Sequence, residues 1–278
     1  AMLDRDDEVL IPQPSYVSYE PCTILAGGKP VIIELKAEDG FKLKASQILE
    51  KVTDKTKILI LPFPNNPTGS ILNIEELREI AKVCIEKDLY VISDEIYCEL
   101  TYEGEHASIV QIDGMKERTV LINGFSKSYA MTGWRLGYAT GPKEIISQMT
   151  KIHQYAIMCA PTTSQYAAVE ALAHGDADVA RMRESYNQRR RYLLHRFEEL
   201  GMTCFEPQGA FYVFPSIKRF GMSSEEFATR LLEEQKIAIV PGTAFGECGE
   251  GYVRVSYAYS MERLKEALSR IEKFVRSL

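Results

Sequence analysis

Apolar runs and helical stripes alternate along this chain. Residues 31–35, Val-Ile-Ile-Glu-Leu, read as a strand, and residues 57–61, Lys-Ile-Leu-Ile-Leu, form a nearly unbroken apolar run of the kind buried on both faces of a sheet. Asn73 then stands where a helix cap belongs, with Glu76 in capping-box position. Leu77, Ile80, Ala81, Cys84 and Ile85 follow as one stripe at i, i+3, i+4 spacing. Residues 89–93 and 119–123 are again strand-like. Short β-rich runs separated by helices predict right-handed βαβ units and a largely parallel sheet, an α/β fold.

The pattern changes after Pro161. Residues 162–174 predict a helix, and residues 176–200 predict one long, Arg-rich amphipathic helix that Gly201 stops. Beyond it, residues 210–214, 237–240 and 252–256 read as strands, with a helix from about Ser224 and another from Ser260 to the end. That is a smaller α+β unit. The expected division is a large domain over residues 1–175, then a linking helix and small C-terminal domain over residues 176–278.

Composition narrows the class. Of 278 residues, 45% are hydrophobic and 26% charged, the balance of a soluble globular protein. No apolar run is long enough to span a bilayer, and the acidic start, Asp4 to Glu8, lacks the order of a signal peptide. A net charge of −6 argues against a nucleic-acid surface, so neither nucleic acid nor membrane is expected as a partner. The six cysteines are scattered without a CxxC pair and there are only four histidines, so no metal site is expected. Reduced thiols in a cytoplasmic protein are the simplest reading.

Ligands of open α/β sheets bind at the carboxyl ends of strands. The strand at 57–61 runs into Asn65-Asn66-Pro67-Thr68-Gly69, the next into Asp94-Glu95-Ile96-Tyr97, and the third into Gly124-Phe125-Ser126-Lys127. These ends offer an amide, a carboxylate with a phenol, and a hydroxyl with an amine. Each also has an ordinary reading. Asn-Pro-Thr-Gly is a turn signal, Asp94 suits a helix cap, Lys127 alone suits a solvated surface, and Arg254 alternates with Val253 and Val255 as on a wet strand face.

Their order and spacing together carry a resemblance. Asn66-Pro67-Thr68-Gly69, Asp94-Glu95-Ile96-Tyr97, Ser126-Lys127 with Gly133-Trp134-Arg135-Leu136-Gly137-Tyr138, and Val253-Arg254-Val255-Ser256 resemble the class I/II aminotransferases. Those are pyridoxal-phosphate enzymes of fold type I, and the likeness runs over essentially the whole chain. It implies a three-layer αβα large domain, a smaller α+β domain, and amino-group transfer between an amino acid and a 2-oxo acid. Lys127 resembles the lysine that forms a Schiff base with the cofactor and then moves the substrate proton. Asp94 matches the carboxylate facing the pyridine nitrogen. Tyr97 and Asn66 match the groups on the ring's phenolic oxygen. Ser126 and Arg135 match phosphate ligands, and Tyr16 resembles the aromatic stacked on the ring. Arg254 resembles the clamp on the substrate α-carboxylate, and Asn66 is matched to substrate binding as well. The segment Gly209-Ala210-Phe211-Tyr212 resembles the one that closes over substrate, although core packing explains Phe211 and Tyr212 equally well. A neutral amine at Lys127 implies a site free of nearby carboxylates. A homodimer is implied by the same likeness.

The chain departs from the pattern in two places. Gly124 stands three before Lys127, where a hydroxyl often supplies a phosphate contact. The first residues resemble a segment already inside the family's large domain, so an N-terminal portion is expected to be missing. Two further readings share the scaffold: another fold-type I reaction, such as a β-lyase or acyl-transferring synthase, and an aminotransferase-like effector domain of a transcription regulator.

Overall fold

The computed structural model describes residues 1–278. A six-stranded sheet forms from β1 (Glu8–Gln13), β2 (Lys29–Glu34), β3 (Thr56–Leu61), β4 (Tyr90–Asp94), β5 (Thr119–Gly124) and β6 (Gly137–Thr140), in the order β2-β1-β3-β4-β5-β6. All pairs are parallel except β5–β6, which is antiparallel. Helices cover both faces, giving the three layers expected. Leu10, Leu59, Leu61 and Val91 point to one side, where they meet Ile48 of α2 (Ala45–Lys51) and Leu77, Ile80 and Cys84 of α3 (Ile74–Glu86). Val9, Ile11, Ile58 and Ile60 point to the other, with Tyr19 of α1 (Tyr19–Leu25) packed against them. This is the period-2 alternation of strands buried on both faces.

The expected cap on α3 forms as written in the sequence. Asn73 Oδ1 accepts from the Glu76 N–H at 2.9 Å, and Glu76 Oε2 accepts from the Asn73 N–H at 2.8 Å. After β6 come α4 (Lys143–Ala156), α5 (Thr162–His174) and the long α6 (Asp176–Glu199). Gly201, left-handed at φ +67°, follows α6 as predicted.

A second, three-stranded antiparallel sheet has the order β7-β9-β8, from β7 (Tyr212–Val213), β8 (Val240–Pro241) and β9 (Val253–Ser256). These strands are shorter than the apolar runs that predicted them. Lys236, left-handed at φ +59°, ends α7 (Ser224–Gln235), and Ile237 and Ile239 then pack into the core beneath rather than pairing. Pro215 and Pro241 each lack the N–H a longer ladder would need. Val213 and Val253 join Leu193 and Phe197 of α6, Phe227 and Leu231 of α7, and Leu268 and Phe274 of α8 (Met261–Val275) in one buried cluster. No helix is long and apolar enough to cross a membrane.

Candidate active site

Because β3, β4 and β5 are neighbours in the sheet, their carboxyl ends lie side by side. Asp94, the last residue of β4, sits opposite Ile122 of β5, five residues before Lys127. After β3 the chain folds on Asn65, whose Oδ1 accepts from the Thr68 N–H at 3.2 Å and the Thr68 hydroxyl at 2.9 Å. That side-chain turn leaves Asn66 buried beyond the carboxyl end of β3. After β5, Phe125 is buried against Met131 and Ala168, and the Met131 N–H returns to the Phe125 carbonyl at 3.1 Å. The tight turn so pinned presents Lys127.

Gly124 has a structural reason. A Cβ there would lie 2.8 Å from Gly137 Cα and 3.1 Å from the Leu136 carbonyl, so β6 approaches too closely for any side chain. The hydroxyl-bearing side chain that often occupies this position would force β6 to shift.

Lys127 is half-buried, and its Nζ stands 5.8 Å from the ring centres of both Tyr97 and Phe211. Its amine is held below the ordinary lysine value, first by burial and then by the Arg254 cation, with Arg135 adding in the same sense. Asp94 opposes them. The expectation of a site free of carboxylates is thus corrected: a carboxylate is within electrostatic reach, and burial with two cations outweighs it.

Asp94 accepts a 2.7 Å hydrogen bond from the Tyr19 hydroxyl and a 3.2 Å bond from the Ile96 N–H. Burial nonetheless pushes its carboxyl above the usual range, and neighbouring Glu95 adds to that. Tyr97 is buried and its hydroxyl lies 3.0 Å from that of Tyr212. Burial raises its phenol well above the ordinary value.

Arg254 comes from β9, on the other sheet, and closes the constellation. Its Nη1 donates to Asn66 Oδ1 at 2.9 Å, its guanidinium carbon lies 4.4 Å from the Tyr212 ring and 4.8 Å from the Phe245 ring, and its Nε is buried with no partner. A strand face read as wet is here turned onto the crevice between the two sheets.

Asn66, Asp94, Tyr97, Lys127 and Arg254 are therefore joined by direct bonds or by mutual electrostatic influence. Tyr16, exposed, meets Tyr19 edge-on at 5.7 Å and flanks the same group. Ser126 is half-buried next to Lys127 by chain position alone, with no bond from its hydroxyl. Arg135 is exposed and left-handed at φ +55°, and its Nη1 donates to the Thr132 carbonyl at 2.7 Å. It reaches Lys127 through charge but lies on the open side. Sequence reasoning missed Tyr19. Its signal was an aromatic three residues after Tyr16, which puts both at the mouth of one helix.

A sequence profile described as Aminotransferase class I and II matches residues 1–271. The chain is 51% identical over 275 residues to the Bacillus subtilis protein named Putative aminotransferase YugH, covering 99% of this chain and 71% of that protein. It is 49% identical to an aspartate aminotransferase of Pyrococcus abyssi (99% and 72% covered) and 46% identical to aromatic-amino-acid aminotransferase 2 of Thermococcus litoralis (99% and 71%). Among solved structures, an aromatic aminotransferase from Pyrococcus horikoshii superposes with a TM-score of 0.97 at 47% identity, covering 99% of this chain and 74% of that one. With its sheet order, its crevice and these likenesses taken together, the chain belongs to the class I and II aminotransferases, a family of transferase enzymes.

Proposed function

We propose that the crevice holds pyridoxal 5′-phosphate on Lys127 and moves an amino group between an amino acid and a 2-oxo acid. One observation carries this reading: a half-buried amine, held below its ordinary pKa by burial and Arg254, lies within electrostatic reach of a half-buried carboxylate that a tyrosine hydroxyl holds in place. The donor set fits the cofactor. An amine suits its aldehyde, an anion its ring nitrogen, a phenol and an amide its phenolic oxygen, and a guanidinium its phosphate. When bound, pyridoxal phosphate supplies an aldehyde that amines attack and a ring that accepts the electron pair released at the substrate Cα.

The chain's residues do the rest. Lys127, its pKa lowered, offers a nucleophilic amine, and once displaced it would take the proton from the substrate Cα and deliver it to the cofactor's C4′. Asp94 holds the ring-nitrogen proton. Asn66 uses its oxygen to accept from Arg254, which leaves its amide N–H2 to donate to the ring oxygen beside Tyr97. Ser126 and Arg135 take the phosphate, and Tyr16 covers a ring face. Arg254 offers Nε and its second Nη to the substrate carboxylate, fixing the Cα–H relative to the ring.

The reading extends to organisation. Residues 1–175 act as the cofactor-binding domain and residues 176–278 as the linking helix and small domain, a division that the two sheets support, although Phe214 and Phe245 of the second unit pack into the core of the first. The working form is a homodimer. Ile152, Tyr155, Met158, Tyr166 and Val169 lie exposed on and just after α4 and on α5, apolar side chains that a second copy would cover.

The test is to add pyridoxal phosphate, trap the adduct with borohydride and map it by mass spectrometry, then add acidic, aromatic and small amino acids in turn. Relatives named for aspartate and for aromatic amino acids are similarly close, so both classes belong in the panel. A label on Lys127, with absorbance changes that an amino acid causes and a 2-oxo acid reverses, is the expected result. A label elsewhere, or none, refutes the reading.

A further inference from the structure

We propose that Tyr212 is a positioning residue that joins the two ends of the crevice, holding the Tyr97 phenol through its hydroxyl and the Arg254 guanidinium through its ring face. The inference rests on the reading of Lys127, Tyr97 and Arg254 given above.

The placement follows from sheet register. Tyr212 lies opposite Ser256, and Arg254 is two residues along the same strand. Residues two apart share a face, so Tyr212 and Arg254 are diagonal neighbours, a spacing that an aromatic and a long side chain can bridge. Val213 and Val253 take the opposite face and are buried in the core, which fixes the direction in which the intervening residues project. The Tyr212 ring centre is 4.4 Å from the guanidinium carbon, and its hydroxyl is 3.0 Å from that of Tyr97. Both phenols are buried, at 6% and 5% exposure, so neither hydroxyl exchanges its partner for bulk water.

Two facing phenols share one hydrogen bond, and its direction matters. If Tyr212 donates, the Tyr97 proton is free for the ring oxygen. If Tyr97 donates, that proton is occupied. A cation on the face of Tyr212 makes its O–H the stronger donor: the Arg254 guanidinium carbon lies 4.4 Å from that ring, and although its charge lowers both phenols, Tyr97 is the more strongly raised of the two. The chain Tyr212 → Tyr97 → ring oxygen is then cooperative, each bond strengthening the next. Tyr97 faces Tyr212, Arg254, Asp94 and the amine of Lys127. Tyr212 faces Tyr97, Arg254, Tyr16 and Tyr186.

The experiment uses protein loaded with pyridoxal phosphate and reads the pH midpoint of the bound cofactor's absorbance. Tyr212→Phe keeps the ring face and removes the hydroxyl. The Tyr97 bond to the ring oxygen weakens, the proton affinity at the lysine linkage rises, and the midpoint moves up by about 0.3 unit. In a Tyr97→Phe background, Tyr212→Phe adds no further shift, because the link runs through Tyr97. Affinity for the unreactive carboxylates acetate, succinate and 3-phenylpropionate is unchanged in Tyr212→Phe and falls about threefold in Tyr212→Leu, which loses the ring. A residue that only fills space would leave the midpoint where it is. Wild-type protein that takes up no cofactor at Lys127 overturns the underlying reading and this link with it. Wild-type protein that does, with an unshifted Tyr212→Phe midpoint or an equal shift without Tyr97, overturns the link alone.

Discussion

The Tyr19 hydroxyl donates a 2.7 Å hydrogen bond to Asp94 Oδ2 across 75 positions of chain. It ties the first helix to the end of β4, and it lowers the proton affinity of a carboxylate that burial raises. Tyr19→Phe therefore lets Asp94 protonate at higher pH. Pyridoxal phosphate affinity is expected to fall about threefold to tenfold near neutrality, the worth of part of one hydrogen bond to a charged group. The deficit should widen as pH is lowered from 8 to 6. Titrations at both pH values check this, and an equal deficit at each would mean that Tyr19 acts only by packing.

Asp94 also predicts a conflict between function and stability. Its folded-state pKa lies above its unfolded value, chiefly through burial. With that sign, its contribution to stability is fully present below the unfolded pKa and is lost as pH rises through the folded one. At pH 8 the ionised side chain is a net cost in the cofactor-free protein. Asp94→Asn should raise the urea midpoint at pH 8, with the gain vanishing in the acid range where both states are protonated. The same substitution should weaken pyridoxal phosphate binding about tenfold or more, since a charge-assisted bond to the ring nitrogen is gone. A lower urea midpoint at pH 8 would contradict the sign.

Much of this is legible in the amino-acid sequence. The cap on α3 could be read because Asn73 and Glu76 bond within one turn, a purely local event. The site markers could be read because each closes a strand, and parallel strands adjacent in sequence became adjacent in space. What escaped was set by tertiary contact. Exposed β6 has no apolar pattern of its own, and it exists because β5 pairs with it. Strands at residues 210–214 and 237–240 are legible, but not that β7 and β8 shrink to two residues each, held by β9. Tyr19 and Tyr212 look like packing aromatics until a carboxylate from β4 and a guanidinium from β9 arrive beside them.

Gly69 shows how the loop after β3 depends on the second unit. It has φ +72°, and a Cβ there would fall 2.2 Å from Pro207 Cβ and 2.8 Å from the Gly209 carbonyl. Its own carbonyl accepts the N–H groups of Gln208 and Gly209, each at 2.9 Å. Gly69→Ala must shift residues 207–209, and Tyr212 lies just beyond. The expected loss is about 2–4 kcal/mol by urea unfolding, from left-handed strain plus overpacking against backbone. Cofactor affinity should fall with it, although Gly69 carries no side chain to bind anything. Unchanged stability would show that residues 207–209 yield freely.

Burial lowers the Lys127 pKa most, Arg254 lowers it next, and Asp94 raises it. Arg254→Leu removes a cation without opening the site, so the pKa should rise and less neutral amine should be present at pH 7.5. Asp94→Asn removes the opposing anion, so the pKa should fall. The check is the pH dependence of trinitrobenzenesulfonate labelling of cofactor-free protein, read on the Lys127 peptide so that surface lysines do not contribute. The midpoint should move up in Arg254→Leu and down in Asp94→Asn, while the limiting rate at high pH changes less because only the neutral amine reacts. If burial alone set the value, both variants would titrate like wild type, and the part assigned to Arg254 in keeping the amine nucleophilic would be wrong.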